Sequence, residues 1–126
     1  MNDLNGITGV IVDSAVRIHS TLGPGLMERV YETILARDLA RRGLAIERQR
    51  SISFDFEGLW FDDACRVDLV VERCVVVEIK SVAMVVPRHH KQLLTYLRLL
   101  DYRVGLLLNF GAPTMKEGIR RIVHKI

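Results

Sequence analysis

The chain has 126 residues, of which 49% are hydrophobic, 26% charged and 6% aromatic; this is ordinary globular chemistry and excludes a disordered or low-complexity protein. Lys and Arg number 18 against 15 Asp and Glu, and the net charge of +3 permits a polyanionic partner without demanding one. The length suits one hydrophobic core, so a single domain over residues 1–126 is expected. Cys65 and Cys74 form no C-x-x-C pair, which excludes a zinc framework and predicts buried thiols in a reducing compartment. The segment MNDLNGITGV lacks the basic and apolar regions of a signal peptide, and no apolar run could span a bilayer. A cytoplasmic protein without a membrane segment is therefore expected.

Leu4, Ile7, Ile11, Ala15, Ile18 and Leu22 follow three- and four-residue steps, the stripe of an amphipathic helix. Gly23-Pro24-Gly25 ends it. A second helix starts near Leu26, with Met27, Val30, Ile34 and the Tyr31/Leu35/Leu39 row as a broad apolar face, and closes at Gly43. The period then changes to two: Ile52, Phe54 and Phe56 alternate with Ser53, Asp55 and Glu57 ahead of a Glu57-Gly58 turn. Arg66–Val71 and Val75–Ser81 are β-branched runs about Glu72-Arg73 and read as a hairpin. Pro87 opens a helix with Leu93, Leu94, Leu97 and Leu100 in its apolar row. Val104–Phe110 suits a strand buried on both faces, Gly111–Gly118 a loop or short helical turn, and Ile119–Val123 a last strand or helix. The order predicts a layered α/β domain, its mixed sheet gaining a parallel strand through the helix at 88–100.

Within the hairpin, Val75, Val77 and Ile79 point to one face of their strand and Glu78 and Lys80 to the other. An acid and a lysine side by side on an inner face are costly unless paired or bound to a metal. If the loop is Glu72-Arg73-Cys74, Asp68 lies directly opposite Glu78; if it is Glu72-Arg73 alone, the two are diagonal, and in both cases they fall within roughly 5–8 Å. Adjacent carboxylates repel, and a hard divalent cation removes the conflict. The alternative is an ordinary Glu–Lys and Asp–Arg network on a solvent-facing sheet.

Asp68, nine intervening residues and then Glu78-Ile79-Lys80 resembles the D…(D/E)-x-K signature of the PD-(D/E)xK phosphodiesterase superfamily, with Val67 where the nominal pattern has proline. Gly25-Leu26-Met27-Glu28-Arg29-Val30-Tyr31, flanked by His19, Leu22-Gly23-Pro24 and Glu32, resembles the G-x-x-E-x-x-Y motif of a family of small proteins in that superfamily. Gln92-Leu93-Leu94-Thr95-Tyr96 resembles the Q-x-x-x-Y helix motif of its RecB-like exonuclease branch. The ending, Gly105–Phe110 and Gly118–Ile122, is similar as well, so the resemblance covers about residues 7–123.

The resemblance implies a three-layer α/β/α sandwich with a central mixed sheet, the restriction-endonuclease-like core. It implies a divalent-metal-dependent nuclease that uses Mg²⁺ or Mn²⁺ held by Glu28, Asp68, Glu78 and the backbone carbonyl of Ile79. Lys80 would be the catalytic lysine, and Gln92 and Tyr96 would line the site. Arg88, His89 and Lys91 form a basic helix start that could contact phosphate. The expected partner is nucleic acid, DNA ahead of RNA, and so small a footprint is compatible with a homodimer. Glu28 could equally be a carboxylate placed for the helix dipole, Tyr31 a core aromatic, Gln92 and Tyr96 a surface amide and a packed ring, and His19 a structural or rim residue. The rival function is a non-catalytic nucleic-acid- or protein-binding module on the same fold.

Overall fold

A computed structural model describes residues 3–125. Helix α1 (Leu4–Leu22) opens on Asp3, whose carboxylate accepts the Gly6 N–H at 2.6 Å and satisfies one free donor of the first turn. Its stripe of Ile7, Ile11, Ala15 and Ile18 is buried, whereas Leu22, expected on that stripe, is exposed where the chain turns into Gly23. Helix α2 (Glu28–Arg41) buries Tyr31, Leu35 and Leu39 completely. Met27 does not join that face: it is the N-cap, its backbone extended and its side chain in solvent.

Five strands follow, β1 (Ile46–Phe56), β2 (Leu59–Val71), β3 (Val75–Lys80), β4 (Val104–Asn109) and β5 (Ile119–Val123), and they lie in the sheet in that order. All neighbours are antiparallel except β3 and β4, which run parallel and are connected through helix α3 (Pro87–Leu100). A single turn, α4 (Met115–Gly118), precedes β5, so the undecided Ile119–Val123 segment is a strand. It pairs with β4, every residue of which is buried.

One side chain row of the sheet (Leu69, Val71, Val75, Val77, Ile79, Leu106, Leu108) packs with α1 and α2. The other (Val70, Val76, Leu107) packs with Leu93, Tyr96 and Leu97 of α3. Sheet residues thus alternate between two cores, which is the three-layer α/β/α arrangement that the resemblance implies. No helix among the described residues is long and apolar enough to cross a membrane. Cys65 and Cys74 are free thiols, partly rather than fully buried, and burial pushes both up from the usual thiol range.

The β1–β2 hairpin is longer than the Ile52–Phe56 alternation predicts. Glu57 and Gly58 both take positive φ (50° and 85°), the conformation of a two-residue hairpin turn. The return strand begins immediately at Leu59 and passes through the polar segment Asp62-Asp63-Ala64, which has no apolar alternation to reveal it. At the other hairpin, Glu72 and Arg73 are left-handed and Val71 pairs with Val75, so the three-residue loop is the one formed.

Candidate active site

The three-residue loop sets the register Leu69↔Val77, and one step further along places Asp68 against Glu78. Here the backbone ladder gives way to side chains. The Asp68 N–H donates to Glu78 Oε1 at 2.9 Å, and the Ile79 N–H donates to Asp68 Oδ2 at 2.8 Å. Each carboxylate therefore caps the opposing strand's free amide, and the two strands part around them. Glu78 is 5% exposed. Burial, followed by the nearby charge of Asp68, pushes its carboxyl up to about 8; the Asp68 N–H and Lys80 pull the other way, and Glu28 adds a small further push upward.

Lys80 follows Glu78 by two residues and so shares its face of β3. The strand end beyond it is secured twice. The Phe110 N–H donates to the Lys80 carbonyl at 2.8 Å. Asn109, 3% exposed, uses its amide as a backbone mimic: Oδ1 accepts from Val82 N and Gly111 N, both at 3.0 Å, and Nδ2 donates to Val82 O at 2.9 Å. Gly111 lies so close beneath Val82 that a Cβ there would come within 2.3 Å of its carbonyl oxygen.

Glu28 arrives from the first turn of α2. Its Oε2 accepts the Ser81 N–H at 3.1 Å, and Ser81 Oγ donates to the Leu26 carbonyl at 2.7 Å. The Gly23–Leu26 loop is shaped from below by Tyr31, whose ring stacks on Phe110 at 4.4 Å. The Tyr31 hydroxyl donates to Gly23 O at 2.6 Å and accepts from Leu26 N at 3.2 Å. Tyr31 is thus a core aromatic that also holds the loop leading into α2 and Glu28. His19 is similarly structural: it is buried, with Nε2 2.9 Å from the Ala112 carbonyl.

From the other face, Tyr96 projects from α3 into the core beside the carboxylates. Burial, then the charge of Glu78, pushes its hydroxyl up to about 12. Gln92, one turn earlier, is exposed, as are Arg88 and Lys91. His89 is partly buried at the start of α3, where its Nδ1 accepts the Val86 N–H at 3.2 Å and caps the helix. Burial, followed by Lys80 and Arg88, lowers its pKa, which favours the neutral imidazole.

The structure also assembles a residue that the periodicity concealed. Gln49 in β1 is left-handed (φ 49°), and opposite it the regular pairing of β1 with β2 lapses between Arg48↔Leu69 and Arg50↔Val67. Its Nε2 donates to Asp68 Oδ1 at 3.2 Å and to Glu32 Oε1 at 2.8 Å. Glu32 is buried and takes two further hydrogen bonds from Arg48. Asp68 is consequently fixed at both oxygens, by Gln49 on one and the Ile79 amide on the other.

Among the described residues no three His, Cys, Asp or Glu side chains close into a metal-binding group. Glu28 is engaged with Ser81, whereas Asp68 and Glu78 face each other across the hairpin. The donor chemistry nevertheless suits a hard divalent cation: all are carboxylate oxygens, and among the described residues no cationic side chain bonds the buried Glu78 carboxyl to favour its ionised form.

The family model for the PD-(D/E)XK nuclease superfamily matches residues 5–122. The chain belongs to the PD-(D/E)XK nuclease superfamily. Its five-stranded mixed sheet with helices on both faces is the α/β, restriction-endonuclease-like fold of that superfamily, whose nucleases generally use divalent metals. No curated protein matches the chain. A solved structure titled "Crystal structure of SSO0001" aligns over 92% of this chain with 18% identity and a TM-score of 0.43. The present chain spans 63% of that longer one.

Proposed function

We propose that this superfamily member is a single-domain, divalent-metal-dependent nuclease of the G-x-x-E-x-x-Y type, in the RecB-like branch, that hydrolyses phosphodiester bonds of nucleic acid. One observation carries the reading: Asp68 and Glu78 oppose each other where β2 and β3 part, with Lys80 on the same row as Glu78. An acid whose carboxyl is pushed up to about 8 by burial is poorly suited to a purely structural role, and it favours a site completed by a cation.

Asp68, Glu78, Glu28 and the Ile79 carbonyl would hold Mg²⁺ or Mn²⁺. When bound, such an ion polarises a phosphoryl oxygen and lowers the pKa of a water. Lys80 would orient that water and balance charge developing on the phosphoryl group. Gln49 would act as a positioning residue, holding Asp68 in place through its amide. Tyr96 bounds the site on the α3 side, and the exposed Gln92 lies one turn away toward the substrate. Arg88 and Lys91, free in solvent, would meet backbone phosphates; His89 has only Nε2 to offer, since Nδ1 is used in the cap.

The test is cleavage of labelled single- and double-stranded DNA and RNA with Mn²⁺, Mg²⁺ or EDTA, beside Lys80→Ala protein purified identically. DNA is the substrate expected first. Metal-dependent cutting lost in the variant supports the reading. Equal cutting by both proteins would mark a contaminant, and cutting by neither would leave the binding module on this fold as the better account.

A further inference from the structure

The outer half of the β1–β2 hairpin is an arm whose apolar face is left uncovered by the described residues. Phe54 pairs with Phe61 and Phe56 with Leu59, so these four side chains share one face of the two-stranded ribbon. The Phe54 and Phe61 rings stack at 5.2 Å, yet Phe56, Leu59 and Phe61 remain 58%, 61% and 44% exposed. Trp60, the single tryptophan, is 65% exposed on the reverse face opposite Asp55. A contiguous apolar face of this kind on a ribbon, which has little stability alone, marks an interaction surface.

Charge selects the occupant. Residues 53–64 contain Asp55, Glu57, Asp62 and Asp63 and no Lys, Arg or His. Arg66, just past this segment, pairs with Asp63 at 2.9 Å, and nucleic acid remains a poor match because its phosphates would still meet Asp55, Glu57 and Asp62. The rest of the chain holds all 18 Lys and Arg against the other 11 carboxylates, a formal +7. The body of every other copy therefore offers the positive surface that an acidic arm requires. Packing arm against arm would instead bring like charges together.

We infer that the chain forms a two-fold dimer in which each acidic, apolar arm docks on the basic body of a second copy. The inference is independent of nuclease activity. It assigns Phe56, Leu59 and Phe61 to the interface and leaves Asp68, Glu78 and Lys80 outside it.

Light scattering over a dilution series tests it, together with hydrogen exchange of the 53–64 segment at low and high protein concentration. Expected are twice the chain mass at high concentration, arm amides that become protected as the dimer forms, and weaker association at high salt. Phe56→Ser with Leu59→Ser alters only exposed side chains and should raise the dissociation constant by about tenfold or more with the circular-dichroism spectrum intact. A single-chain mass at every concentration would overturn the inference. So would a dimer that persists in the double variant, or arm amides protected by added DNA instead of by protein concentration.

Discussion

The two faces of β3 are built from alternate residues of one six-residue strand and do opposite things. Val75, Val77 and Ile79 face α1 and α2, are 0–1% exposed and belong to the larger core. On the α3 side only Val76 is apolar; Glu78 and Lys80 continue its row toward the parted ends of β2 and β3. Both faces are largely closed to water, so burial alone does not separate them. What separates them is whether buried groups satisfy one another. The first face is apolar and needs no partners, whereas the second buries an acid whose hydrogen bond with Asp68 N–H only partly offsets its desolvation. Stability should therefore reside in the first face and chemistry in the second, and substitutions can separate the two.

The largest separation is expected at Lys80. Lys80→Ala should lower the single-turnover cleavage rate by about 10²–10⁴-fold, the usual range for losing a positioned charge or acid–base group, and leave the urea midpoint nearly unchanged. A comparable fall in stability would show that Lys80 supports the fold instead.

Glu78 should reverse that pattern in metal-free buffer. Its carboxyl ionises near 4.5 when unfolded and near 8 when folded. Between those values the native state keeps a proton that the unfolded chain has released, so stability falls as pH rises through this window and levels off above it. The fall should be roughly 3–5 kcal/mol in the wild type. Glu78→Gln retains an acceptor for the Asp68 N–H but cannot ionise, and urea titrations across the window should show this fall removed. A wild type with no such fall would mean that the carboxyl ionises freely in the fold.

On the apolar face, Val77→Ala should cost roughly 2 kcal/mol, from the lost methyl groups and the small cavity they leave. Its cleavage rate, measured where the variant is fully folded, should match the wild type. A large rate defect would mean that the two faces of β3 are mechanically coupled.

How much of this division is legible in the sequence follows from what each residue depends on. The apolar row and the Glu78/Lys80 row are visible because strand alternation is local. The opposition of Asp68 and Glu78 is visible as two alternatives, and left-handed Glu72 and Arg73 decide between them, which spacing alone cannot do. The arm's return strand is hidden because Asp62-Asp63-Ala64 lies at the register shift between the Ile52↔Cys65 and Phe54↔Phe61 pairs and is exposed throughout, so no alternation marks it. Asn109 sits inside an apolar run whose length indicates a strand, but its side chain's work as a backbone mimic depends on Val82, far away in sequence. Gln49 lies in the charged stretch Glu47–Arg50, where nothing local distinguishes it from a solvated strand edge. Only the fold brings Glu32 of α2 and Asp68 of β2 to its amide.

Gln49 also gives the finest test of the two-face picture, because its structural and positioning contributions can be separated. Its left-handed backbone carries a strain that glycine lacks, so Gln49→Gly should release strain while losing two hydrogen bonds, for a net stability change within about 1 kcal/mol. The amide that fixes Asp68 Oδ1 would nevertheless be gone. Mn²⁺ affinity, measured by calorimetry, should fall about tenfold, as it commonly does when a partner that orients a metal ligand is removed. The cleavage defect should shrink at saturating Mn²⁺, while the defect of Lys80→Ala should not. Gln49→Asn tolerates the left-handed backbone and keeps an amide on a shorter stem, so it should recover part of the affinity. A glycine variant that is stable and binds Mn²⁺ as tightly as the wild type would reduce Gln49 to a strand-edge residue and leave the Ile79 amide as the contact that fixes Asp68.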